Sequence, residues 1–298
     1  MTLLRRTLRA VTPYGLVEVW RKHSVNGARR LGSGKNLSQA GRPAFHSERH
    51  QRIAACETLR QSTSIHGDNP EEVIAFLAAR GIDEQQVREG SIPVASLEYL
   101  RRVVHDVFAT RGPVSALHVG NFVGVSVAFV ATVLKELDPS SLVVSIDPNV
   151  AHRGVLNPQA HVSALLTACG VQRNTVMIAG YSGEKNISND GVSFAGYHPE
   201  REFLNEYACE GTLENLTKLH CRGFDLAMLD GNHDASYLVA ELRLVVPLLG
   251  SGALVILDDV DESWSEIRDV FNRLEETGLR QLSTDGRIGI ARLDKVPA

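Results

Sequence analysis

Apolar positions along the C-terminal two thirds of the chain alternate between two periods. Short apolar runs, each closing on a glycine, an alanine or a carboxylate, read as strands buried on both faces. They are Val114 to Val119, Leu142 to Asp147, Thr175 to Ala179, Phe224 to Asp230, and the ALVIL run from 253 to 257. Between them the spacing shifts to three and four residues. Leu238, Val239, Leu242, Val245, Val246 and Leu249 form one helical stripe, which Gly250 and Gly252 are expected to stop. Further helices are expected up to Leu137, from Val162 to Cys169, from Glu210 to His220 and from Ser263 to Thr277. Strand, helix and strand joined by short turns make βαβ units, so the strands lie parallel with their carboxyl ends at one rim. The closing LRQLSTDGRIGIARL segment reads instead as an antiparallel hairpin about Asp285-Gly286.

Upstream, Asn69-Pro70-Glu71-Glu72 has the order of an N-cap, a first-turn proline and acids favoured by the helix dipole. That helix ends at Gly81. A second, from Pro93 to Thr110, turns Leu97, Leu100, Val103, Val104 and Val107 to one side. Together they are expected to cap the open edge of the sheet.

Composition narrows the class. With 298 residues, 43% of them hydrophobic, and a net charge of -4, the chain can bury one large core and still carry an extension. Residues 1–53 hold 11 Lys and Arg against 2 Asp and Glu, and the rest hold 20 against 33. The division expected is therefore a basic arm and linker over 1–53, a helical lead region over 54–112 and a core over 113–298. The arm interleaves Leu, Val, Tyr and Trp with arginine. Peripheral contact with anionic lipid, docking on the enzyme or on a second copy, and a transit peptide all stay open for it. The acidic core argues against nucleic acid as a partner. Four cysteines without a CxxC pair suit a reducing, cytoplasmic setting and no zinc site. No run approaches the length of a membrane span.

The chemistry gathers at the strand ends. Asp230 ends one strand and Asp258 and Asp259 end the next, so three carboxylates meet at the rim where open α/β sheets bind ligands. Three carboxylates repel one another unless a cation sits between them, and Mg²⁺ is the natural hard cation for oxygen ligands. A lone strand-end aspartate is ordinarily a cap. Three of them, with His233 three residues after the first, outweigh that reading. At the other end of the core, the first strand runs into Gly120-Asn121-Phe122-Val123-Gly124-Val125-Ser126 and a helix N-terminus, a cradle for a close ligand. Asp147 then ends the second strand, where a carboxylate accepts from ribose hydroxyls in nucleotide-binding folds.

DGNH, a helix and then LVILDD together resemble the metal-dependent class I S-adenosylmethionine (SAM) O-methyltransferases. The group in view is the one that methylates sugar hydroxyls in bacterial antibiotic and glycan clusters. The resemblance spans roughly residues 95 to 293. It implies a doubly wound, mostly parallel seven-stranded Rossmann-like α/β sheet with a closing antiparallel hairpin and a helical N-terminal cap. It also implies Mg²⁺ on Asp230, Asp258 and Asp259 and a small-molecule or glycan acceptor; His233, by its spacing from Asp230, is the expected base. SAM would lie against His118, Gly120, Asn121, Gly124, Ser126, Asp147, Ser182 and Asp230. One departure stands out: the family places an acid two residues before the first glycine, where this chain has His118. The polar stretch from Gly183 to Gly196 reads as a lid over the acceptor. Alternatives left standing are a catechol-like small-aromatic O-methyltransferase and a non-catalytic SAM-fold partner protein. A homo-oligomer is also open.

Overall fold

A computed structural model describes residues 64–183 and 211–294. The basic arm, its linker and the expected lid beyond Gly183 lie outside them. In chain order the elements are α1 (Pro70–Ala79), α2 (Glu84–Glu89), α3 (Val94–Phe108), β1 (Ser115–Val119), α4 (Val125–Leu137), β2 (Leu142–Asp147), α5 (Pro158–Ala168) and β3 (Thr175–Ala179). After the gap come α6 (Thr212–Lys218), β4 (Phe224–Leu229), α7 (Ala235–Val245), β5 (Leu249–Leu257), α8 (Ser265–Asn272), β6 (Leu279–Thr284) and β7 (Gly289–Leu293). The seven strands form one sheet in the order β3-β2-β1-β4-β5-β7-β6. β1 to β5 pair in parallel, and β7 runs antiparallel between β5 and β6. Chain order reverses between β1 and β4, which opens a crevice at their carboxyl ends.

Both faces of the sheet are covered, as the doubly apolar strands require. On one face Ala116, Val143, Leu226, Met228, Leu254 and Ile256 pack with Leu77, Leu97, Leu100, Phe129 and Leu165. On the other, Leu117, Val119, Leu229, Val255 and Leu257 pack with Leu213, Leu238, Leu242, Ile267 and Phe271. The leading helices do not cap an edge. α4 is buried through every residue from Val125 to Leu134, so it needs apolar neighbours on both sides. The sheet supplies one side, and α1, α3 and α5 supply the other.

Two boundaries differ from the sequence expectation. β5 starts at Leu249, which puts Gly250 and Gly252 inside a strand rather than at a helix end. The helix stops earlier, in the single 3₁₀ turn Val246–Leu248, because Pro247 has no amide hydrogen to continue it. Gly252, at φ +76°, takes up a register shift between β5 and β4. The expected helix from 263 to 277 is in fact α8 flanked by the short turns Glu262–Trp264 and Leu274–Thr277.

Candidate active site

The sheet ladder continues one residue past the strands. Gly120 N–H donates to the Ile146 carbonyl at 2.9 Å, Asp230 N–H to Val119 at 2.9 Å and Asp258 N–H to Leu229 at 3.1 Å. Positions 120, 230 and 258 are thereby held side by side at the rim, with Asp147 closing β2 beside them. Gly120 sits at φ +85°, and a Cβ there would overlap the Asp230 carbonyl. Its need for glycine is set by the neighbouring chain segment, whatever ligand the turn receives.

The loop after β1 is built on Asp147. One carboxylate oxygen accepts from the Asn121 amide at 2.8 Å and the other from the Asn149 amide at 2.7 Å. Burial pushes this carboxyl up, while the backbone amides pull it down. Asn121 is tied a second time, its Oδ1 accepting from Ser145 Oγ at 2.7 Å. Gly124, at φ +100°, precedes the first turn of α4, and Ser126 is buried in that turn. Phe122, Asn149 and Arg153 all hold left-handed backbone at φ +46°, +56° and +46°. Three such non-glycine residues in the two loops that follow β1 and β2 mark conformations imposed by their surroundings.

His118 lies under this loop and is fully buried. Neither ring nitrogen has a hydrogen-bond partner among the described residues, and burial pushes its pKa down to about 4. The unfolded chain takes up that proton near the ordinary value of about 6.5. Falling pH therefore favours unfolding through this residue, between about 6.5 and 4. Relative to His118→Leu, the wild type is expected to lose about 3 kcal/mol of stability from pH 7 to pH 4. Urea denaturation of both proteins at the two pH values measures the difference, and parallel pH dependences would contradict it.

Ser182 stands apart from the loop. It donates to the buried Glu241 carboxylate and lies 3.1 Å from the Tyr237 hydroxyl, which accepts from Gly183 N–H at 3.0 Å. Burial raises Glu241 to about 7. This glutamate sits within the apolar stripe of α7 and beside Asp230 in a small crevice at the rim.

Asp230, Asp258 and Asp259 do converge. Asp230 is raised well above the usual carboxylate range by burial first and then by Asp258 and Asp259, and its carboxyl hydrogen-bonds that of Asp258. Asp258 is raised by burial and by Asp259, with Arg287 opposing. Asp259 holds φ +59°, a strained value for a non-glycine residue. One of its oxygens, Oδ2, lies 2.5 Å from His233 Nε2. The His233 ring stacks on Trp264, with centroids 4.4 Å apart and planes 22° from parallel. Asp234 caps α7 by accepting from Tyr237 N–H at 2.9 Å, which anchors the turn that carries His233.

Sequence reasoning missed Arg287. Its guanidinium donates to both oxygens of Asp258, Nε at 3.1 Å and Nη2 at 2.9 Å, and Nη2 stands 2.5 Å from Asp259 Oδ1. The signal lies in how the hairpin docks, not in its local sequence. An antiparallel β7 beside β5 begins where β5 ends, so the turn before it must return to the acidic rim. The Mg²⁺ expectation does not fit this arrangement. Both oxygens of Asp258 and one of Asp259 already face a cation, and no group of three or more His, Cys, Asp or Glu among the described residues is arranged to hold a metal ion. Also among the described residues, no helix is long and apolar enough to cross a membrane.

Residues 117–260 match a family model described as a methyltransferase domain. No curated protein matches the sequence. Among solved structures, the chain is similar to an O-methyltransferase from Bacillus cereus in complex with SAH (TM-score 0.47, 14% identity, 75% of this chain and 90% of that one). It is also similar to the SAH-bound methyltransferase PaMTH1 of Podospora anserina (TM-score 0.47, 17% identity, 88% and 99%). A third is the MycE methyltransferase of the mycinamycin biosynthetic pathway, in complex with Mg and SAH (TM-score 0.43, 12% identity, 89% and 70%).

Proposed function

We propose that this chain is a class I SAM-dependent methyltransferase that methylates a hydroxyl oxygen of a sugar or glycosylated metabolite; its methyltransferase-domain match and its sheet order support the first part of that reading. The observation that carries the reading is the His233–Asp259 pair, set at the rim beside the strand ends to which we assign the cofactor. SAM supplies an electrophilic methyl group on a sulfonium. The residues present suit it: a carboxylate offers about four lone-pair sites, and the loop amides of Asp147 leave capacity for ribose hydroxyls. The N-terminus of α4 and the Gly120 to Ser126 turn border the same space.

An alcohol is a poor nucleophile near neutral pH, so proton removal is the chain's chemical task. His233 presents Nε2 to Asp259, which leaves Nδ1 as the ring atom to take the acceptor's proton. Asp259 then stabilises the imidazolium, as a carboxylate behind a histidine base does. His233 would hold the proton that the acceptor hydroxyl gives up as it takes the methyl group a bound SAM would supply. Trp264 fixes the ring plane so that this nitrogen is aimed rather than mobile. No step runs through a metal.

The sugar acceptor rests on the resemblance of DGNH and LVILDD. Incubation with methyl-labelled SAM and separate panels of saccharides and catechols tests it. Label in the saccharides is the expected result. Label in catechols alone overturns the acceptor class, and label in neither, with SAM still bound, supports a non-catalytic partner protein.

A further inference from the structure

We infer that Arg287 is the resident cation of the acidic rim, seated where a divalent ion would otherwise balance the aspartates, so that metal binds there only when Arg287 is removed. The first support is the fork. A guanidinium matches a carboxylate edge to edge, and Arg287 uses Nε and Nη2 on the two oxygens of Asp258 at 3.1 and 2.9 Å. The same Nη2 is 2.5 Å from Asp259 Oδ1, as an ion pair rather than an aligned hydrogen bond, and Nη1 is 3.3 Å from Asp261. One cation thus touches three of the aspartates. Lysine would bring the charge without the fork.

The second support is the anchorage of its backbone. Arg287 lies in the β6–β7 turn, where the Asp285 carboxylate accepts from the Arg287 amide at 2.9 Å and the Ile288 amide at 2.8 Å. Thr284 Oγ1 accepts from Gly286 N–H at 2.9 Å, with Gly286 at φ +96°. On the other side, the Arg287 carbonyl accepts from Val260 N–H at 3.0 Å. The turn is therefore fastened to the segment that carries the aspartates, and the side chain is only 29% exposed. Such an arginine is part of the site rather than a surface side chain resting on it.

The third is competition for oxygens. Mg²⁺ requires ligands at about 2.0–2.1 Å in near-octahedral geometry. It would have to take oxygens of Asp258 and Asp259 that now face Arg287, and would meet a fixed positive charge at short range. Arg287 and His233 also divide Asp259 between its two oxygens, so the cation and the base share one carboxylate.

The test is a metal titration of the full chain, with Mn²⁺ as the probe and bound ion read by electron paramagnetic resonance. Wild type is expected to show no saturable binding at millimolar Mn²⁺. Arg287→Met should bind at least about tenfold more tightly, since a competing cation is gone and the carboxylates remain. Arg287→Lys should stay weak, and Asp258→Asn added to Arg287→Met should abolish the gain. Wild-type binding as tight as that of Arg287→Met, and lost in Asp258→Asn alone, would overturn the inference. If Arg287→Met does not fold, as a thermal melt would show, the wild-type and Asp258→Asn titrations still decide. None of these readouts needs turnover, so failure of the proposed methyl transfer leaves the inference standing or falling by itself.

Discussion

His233→Ala is expected to lower kcat by about 10²- to 10⁴-fold, the range a positioned general base supplies, while SAM affinity stays essentially unchanged. The two effects separate because the groups stand on different strands. His233 follows β4 and meets Asp259 at the end of β5, whereas the proposed cofactor cradle follows β1 and β2. Asp259→Asn should fall in the same direction. It keeps the shape of the side chain and removes the charge that stabilises the imidazolium. It also takes one partner from Arg287, so its stability needs to be checked alongside its rate. Single-turnover kinetics with saturating SAM distinguish slower chemistry from weaker binding. Full turnover in His233→Ala would remove the histidine from the mechanism and leave the fold untouched.

Asp147→Ala is expected to weaken SAM binding by about 10²-fold or more. Hydrogen bonds to a charged group contribute about 1.5–3 kcal/mol each, and a ribose offers two hydroxyls. The structure adds a second consequence. Asp147 also accepts from the Asn121 and Asn149 amides, so its removal leaves part-buried donors unpaired and loosens the loop itself. Asp147→Asn separates the two effects. It retains one acceptor oxygen for the loop while losing the charge, and should lie between wild type and Asp147→Ala in both affinity and melting temperature. An Asp147→Ala protein that binds SAM like wild type would place the cofactor elsewhere.

Much of this site could be read from the sequence because it depends on strand ends. Once FDLAMLD and ALVIL are taken as parallel neighbours, Asp230 and Asp258 must share a rim, and the ladder places them there. His233 follows by local spacing alone. What could not be read depends on contacts distant in sequence. Arg287 reaches Asp258 across 29 residues through a hairpin whose docking the local pattern does not state. The cap helices were assigned to an edge because their apolar stripes are one-sided. Only the all-round burial of α4 shows that a second layer of helix must cover that face. Glu241 looked like an ordinary helical acid until Ser182 and Tyr237 closed over it, whereas the depth of His118 follows from its place in a strand read as buried on both faces. Gly250 and Gly252 misled for a physical reason. Glycine suits both a helix end and a strand irregularity, and Pro247 had already ended the helix.

The central claim is that the carboxyl ends of β1 and β2 hold SAM beside an acidic rim whose cation is already present. Calorimetric titration of SAM into the full chain, with and without EDTA, tests it most directly. The account predicts saturable one-to-one binding that EDTA does not alter and that NAD does not reproduce; heat with NAD but none with SAM, or SAM binding abolished by EDTA, would contradict it.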